Sequence, residues 1–121
     1  MKPSFLKSVS FAVNGLKLAW HEKHFKIHLL ATILAIILGF LFDIDSTEWF
    51  AILICIGAVL SLEIINTAIE HLVDLVEPNY NPKAGAIKDL AAGAVLVFSI
   101  ISAVIGIMVF GKYILDLLFI N

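Results

Sequence analysis

The stretch Glu63-Ile64-Ile65-Asn66-Thr67-Ala68-Ile69-Glu70-His71-Leu72-Val73-Asp74 decides how the rest of the chain is read. It continues an apolar run, Trp49 to Leu62, that holds no charge. At about 100° per residue, Glu63, Asn66, Glu70 and Asp74 fall on one narrow stripe of a helix, and Glu77 extends it. Ile64, Ile65, Ile69, Leu72, Val73, Leu75 and Val76 cover the remaining circumference. A helix that is apolar nearly all round and carries a line of carboxylates must shield that line from lipid. A charge there costs about 2.5–3.5 kcal/mol or more unless it faces a partner or water, so the stripe reads as a site. A helix end at the membrane surface is the plain alternative, but surface helices mix charge signs over a broad face.

Working outward, 121 residues that are 61% hydrophobic and 15% charged exceed the apolar content of a soluble domain, roughly 45–50%. The length suits a single domain over 1–121 with room for about three spans of about 20 residues. A net charge of −2 without a basic stripe excludes a nucleic-acid partner. The one cysteine, Cys55, lies in an apolar run and reads as a small packing residue. No cleavable signal peptide is expected, because the N-terminus lacks an apolar core ahead of a small-residue cleavage site.

Residues 1–22 predict an amphipathic helix lying on the membrane: Phe5, Leu6, Val9, Ala12, Val13, Leu16 and Trp20 share one face. Ser4 or Ser8 is placed to cap it. The collar Glu22-Lys23-His24-Phe25-Lys26-Ile27-His28 precedes a first span over 27–42, in which Gly39 is the only strong helix weakener. Asp43 to Glu48 predicts a tight turn, with Ser46 or Asp45 as cap and Glu48 in the first turn of span two, 49–76, where the helix dipole favours an anion. Pro78-Asn79-Tyr80-Asn81-Pro82 breaks that helix. Span three, 87–110, together with its lead-in from Lys83, carries Gly85, Asp89, Ala92, Ser99, Ala103 and Gly106 along one side, which predicts close helix packing in lipid against span two. The tail Tyr113 to Asn121 reads either as a helical continuation or as an interfacial end.

The fold class is therefore an all-α membrane protein: a surface helix plus three transmembrane helices. One acidic line among three spans is hard to enclose within a single chain, which predicts an obligate homo-oligomeric bundle with sites between subunits. Five lysines precede span one and Lys83 and Lys88 fall in the second loop, while the first loop has none. The charge bias predicts a cytoplasmic N-terminus and second loop, in the cell membrane. Several carboxylates at an aqueous membrane edge suit Mg²⁺, which takes one or two of them plus phosphates. A deeper carboxylate suits proton transfer from a lipid hydroxyl. Gly-rich phosphate loops, HExxH, GxSxG and CxxC are all missing. His71 beside the stripe reads as interfacial packing. Spacing alone leaves a kinase and a small cation-coupled transporter both open, and a noncatalytic anchoring protein would need no aligned stripe.

The stripe, with Ala86-Ile87-Lys88-Asp89-Leu90-Ala91-Ala92-Gly93-Ala94-Val95, closely resembles the signature of the bacterial diacylglycerol kinase/undecaprenol kinase family. Gly15-Leu16-Lys17-Leu18-Ala19-Trp20, Glu22-x-x-Phe25 and Phe42-Asp43-Ile44-Asp45 add to the likeness, which runs from about residue 5 to 110. The resemblance implies a three-span lipid kinase, a homotrimer with shared sites, that moves the γ-phosphate of ATP to a membrane lipid alcohol with Mg²⁺. It implies that Glu63 accepts the proton and that Glu22 and Glu70 hold the metal. It also implies that Glu22, Glu70, Tyr80, Asn81, Lys88 and Asp89 bind nucleotide, with Asn66 and Asp74 as supporting polar groups. The chain departs from the proteobacterial diacylglycerol kinases before Glu22, where it is one residue shorter and has Ser4 in place of an arginine; Lys7 or Lys2 stands nearest as a substitute. The Glu22 to His28 collar and the Glu70-His71 pair resemble the Gram-positive-type undecaprenol kinases. The acceptor implied is undecaprenol, with diacylglycerol as the alternative.

Overall fold

The computed structural model describes residues 1–119 and consists, among them, of four helices. Helix α1 spans Phe5–Trp20, α2 Lys23–Leu41, α3 Ser46–Val76 and α4 Pro82–Phe119. The last three are long and apolar enough to cross a membrane. At 1.5 Å per residue they measure about 28, 46 and 57 Å against a hydrocarbon core of about 30 Å. Their outer faces, such as Leu30, Leu34 and Phe40 on α2 or Ile100, Ile107 and Met108 on α4, are exposed apolar side chains. Such faces are compatible with lipid and not with water.

Local chemistry sets each boundary. Ser4, not Ser8, caps α1: its hydroxyl accepts from the Lys7 amide at 3.4 Å. Helix α2 starts at Lys23, so the collar is already helical before the apolar run. It ends in a left-handed turn, with Asp43 at φ 49°. The Asp43 amide bonds the Phe40 carbonyl and the Ile44 amide bonds the Gly39 carbonyl, while Ile44 is buried beneath them. This is the paired-carbonyl stop of a Schellman turn with its apolar contact. Asp45 caps α3 in a reciprocal box with Glu48. Pro82 does not belong to the helix break, as its residue type suggested. It is the first residue of α4, where its missing N–H costs no hydrogen bond, and the Asn81 side chain accepts from the Lys83 amide at 2.9 Å. Tyr113 to Phe119 continues α4, and Ile120 and Asn121 lie outside the described residues.

Helix α3 packs chiefly against α4, then against α2, while α1 rests lightly on α2 and α3. A cluster of Ile44, Ile52, Val109 and Phe110, flanked by Leu38, Phe42, Trp49 and Tyr113, closes the end of the bundle at the α2–α3 loop. There Phe42 stacks on Tyr113 with ring centroids 5.5 Å apart. Gly39 is buried in this region because Trp49 lies across it: a Cβ added at Gly39 would stand 2.6 Å from the indole. At the same end Glu48 pairs with Lys112 and accepts a 2.8 Å hydrogen bond from the Tyr113 hydroxyl. At the other end Lys88 pairs with Asp74. Glu48 to Asp74 on α3 and Lys88 to Lys112 on α4 each cover about 36–39 Å, so the two contacts fix one antiparallel register. The small face of α4 departs from expectation. A Cβ at Gly85, Gly93 or Gly106 would meet nothing within 4 Å, and α4 instead buries Val95, Val109 and Phe110. Ser99, Ala103 and Gly106 line a cavity between α2, α3 and α4.

Candidate functional site

The stripe of α3 divides by depth. Glu63 and Asn66 are buried at 4% and 6% relative exposure, and they are the buried polar residues among those described. Glu70 is half-buried and Asp74 is exposed near the α3–α4 loop. The 3.6-residue period that aligns the four groups also spaces them along the axis, with Glu63 and Glu70 about 10 Å apart.

Each stripe residue has a defined neighbour. Asn66 Nδ2 donates to Glu70 Oε1 at 3.1 Å, one helical turn along. The Asn66 Oδ1 atom is buried and has no hydrogen-bond partner among the described residues. Asp74 is held by Lys88 across the α3–α4 contact. Glu22, at the start of α2, points Oε1 to 3.4 Å from His71 Nε2. Placing Glu22 beside the residue next to Glu70 brings the collar against α3. Deepest in the stripe, Glu63 Oε2 lies 3.7 Å from His28 Nε2.

These residues form two neighbouring groups. Tyr80, Asn81, Lys88 and Asp89 line, with Asp74, Glu77 and Gly85, a mixed polar cavity of about 500 Å³ between the α3–α4 loop and the first turns of α4. Glu22, Glu63, Asn66 and Glu70 do not line it. Among the described residues no three His, Cys, Asp or Glu side chains converge to cage a metal ion. The donor set does fit a cation that arrives on phosphates, because Glu22 and Glu70 offer hard oxygen and Mg²⁺ needs only one or two such ligands from protein.

Two partners escaped the sequence reading. His71, read there as packing, is the neighbour of Glu22. His28, read as part of a collar, is the neighbour of the buried Glu63. A charged side chain buried without a partner is costly, so a search for a complement to Glu63 would have been the available signal. Nothing in helical spacing could say which of the collar residues supplies it.

Comparison with known proteins gives a consistent result. Residues 10–110 match the family model described as prokaryotic diacylglycerol kinase. The chain is 45% identical over 107 residues to the undecaprenol kinase of Bacillus subtilis (strain 168), covering 88% of this chain and 87% of the relative. It is 33% identical over 100 residues to the diacylglycerol kinase of Escherichia coli (strain K12), covering 82% of each. A diacylglycerol kinase of Helicobacter pylori (strain J99) is 34% identical over 115 residues, 93% of this chain and 86% of the relative.

Proposed function

The chain belongs to the prokaryotic diacylglycerol kinase family and is a multi-pass membrane lipid kinase, and we propose that it phosphorylates undecaprenol with ATP. The observation that carries the acceptor is the difference in identity: 45% to an undecaprenol kinase against 33% to a diacylglycerol kinase over comparable lengths. Family membership also sets aside the transporter and the noncatalytic anchor.

Glu63 is the proton acceptor in this reading. Its depth brings it level with a hydroxyl at the head of a long apolar chain, and its burial keeps competing water away. The nucleotide enters from the α3–α4 loop, where Tyr80, Asn81 and Asp89 line the cavity and Lys88 supplies a cation for the phosphates. Asp74 holds Lys88 in place, and Asn66 orients Glu70. Glu22 and Glu70 would hold Mg²⁺, which when bound neutralises the charge that develops on the phosphates. The lysine distribution supports a cytoplasmic N-terminus and α3–α4 loop in the cell membrane, where ATP is available. The chain works as one domain over 1–121. It assembles as a homotrimer with shared sites, which would cover the exposed small face of α4 and the open side of the stripe. The basic group near the phosphates is Lys7 or Lys2, both exposed on or beside α1.

The test is phosphate transfer from radiolabelled ATP by the purified protein, with undecaprenol and diacylglycerol offered side by side. Preferential labelling of undecaprenol is expected. Preference for diacylglycerol would replace the acceptor, and labelling of neither would overturn the reading.

A further inference from the structure

Transfer of a phosphoryl group to an alcohol releases one proton per turnover, so a buried base must be emptied before it can act again. Glu63 is 4% exposed. The next carboxylate of its stripe, Glu70, is seven residues away, about 10 Å along the helix and beyond direct proton transfer. Asn66, between them, does not take up protons near neutral pH. Among the described residues the one charged-group partner of Glu63 is His28, at 3.7 Å, and the His28 side chain is 23% exposed against 5% for that of Glu63.

The surroundings of His28 favour the same role. Its backbone carbonyl accepts the Thr32 hydroxyl at 2.9 Å, and its side chain lines a cavity of about 320 Å³ between α2, α3 and α4. From α3 the titratable groups near it are Glu63 and the Cys55 thiol on the cavity wall; α4 contributes to that wall the hydroxyls of Ser99 and Ser102 and no titratable group. Among the described residues no ion pair joins α1 to His28. The Ser99 and Ser102 hydroxyls are buried without hydrogen-bond partners. The cavity has room for water beside the polar groups of its lining, His28, Thr32, Ser99 and Ser102.

We propose that His28 is a positioning residue that orients Glu63 and relays the proton it captures. The inference rests on the lipid-kinase reading above. The alcohol O–H bond breaks as its oxygen bonds the γ-phosphorus, and the bond from γ-phosphorus to the bridging oxygen breaks with its electron pair leaving on ADP. The proton passes to the Glu63 carboxylate, then to His28 Nε2; the imidazolium so formed gives up its Nδ1 proton to water, and exchange with water returns the ring to the Nδ1–H tautomer before the next turnover. Closing 3.7 Å to hydrogen-bond distance needs a side-chain shift of about 1 Å. Imidazole suits the step because it has two ring nitrogens, one to accept a proton and the other to give one up.

The experiment compares full-length wild type, His28→Ala and His28→Asn in lipid vesicles, with ATP and lipid alcohol saturating and with increasing free imidazole in the buffer. Oligomer size is checked for each. Both variants are expected to lose about tenfold or more in kcat while KM for ATP stays within about twofold of wild type. Free imidazole should restore His28→Ala in proportion to its concentration and leave wild type unchanged, a response that a purely structural histidine does not produce. If His28→Ala fails to assemble, His28→Asn, which keeps a polar side chain of similar reach, carries the comparison. A kcat for His28→Asn within about twofold of wild type overturns the relay, as does a folded His28→Ala that imidazole does not restore. A wild type that phosphorylates no lipid alcohol overturns the kinase reading and the relay with it.

Discussion

Replacing Glu63 by Gln removes one titratable oxygen and leaves side-chain volume nearly unchanged. The site offers no substitute base on the stripe, because Asn66 cannot serve and Glu70 lies about 10 Å along α3. General-base catalysis contributes about 10²–10⁴-fold, so kcat should fall by at least about a hundredfold, equivalent to roughly 2.7 kcal/mol in the barrier. KM for ATP should change little, since the cavity lined by Tyr80, Asn81, Lys88 and Asp89 does not include Glu63. Folding should persist, because Glu63 Oε2 approaches His28 only to 3.7 Å and a glutamine at that position can donate to the same imidazole. The assay is single-time-point and full-progress phosphate transfer to undecaprenol by purified wild type and variant, with oligomer size and thermal unfolding measured in the same detergent. A correctly assembled Glu63→Gln protein within about threefold of wild-type kcat would refute the assignment of Glu63 as proton acceptor.

Glu70→Gln and Glu22→Gln should each raise the Mg²⁺ concentration for half-maximal activity about tenfold, the scale of one charged contact of roughly 1.5 kcal/mol. An unchanged Mg²⁺ titration in both variants would move the metal to other oxygens, with Asp74 and Asp89 next. At limiting Mg²⁺, where Glu22→Gln alone turns over poorly, mixing Glu22→Gln and Glu63→Gln subunits under conditions of exchange should restore part of the activity if the two residues of one site come from different chains. Glu22 meets His71 of its own chain, so absence of recovery despite proven exchange would place the whole site within one chain and refute sharing. Gly39→Ala should destabilise the fold by about 1–3 kcal/mol, because the added Cβ would lie 2.6 Å from the Trp49 ring. A variant that unfolds at the wild-type temperature would show that Trp49 turns aside at no cost.

Much of the molecule is determined within single helices and is legible in the sequence for that reason. The spacing of Glu63, Asn66, Glu70 and Asp74 puts them on one face whatever the neighbours do, since the helical period is fixed by backbone hydrogen bonds. The capping roles at Ser4 and Asp45 and the three apolar runs follow from equally local chemistry, and the choice between Ser4 and Ser8 or Asp45 and Ser46 needed only backbone geometry. Relations between helices are different, because they depend on how each helix is rotated about its axis and how far it slides along its neighbour. Trp49 seated on Gly39, the Glu48 contacts with Lys112 and Tyr113, and the Lys88–Asp74 pair set that rotation and register. The tertiary structure alone therefore decided that His28 meets Glu63, that Glu22 meets His71, and that α4 buries Val95, Val109 and Phe110. An apolar span is uniform enough around its circumference that hydropathy cannot choose its inward face. Packing volume and the cost of leaving Glu63 without a partner choose it instead.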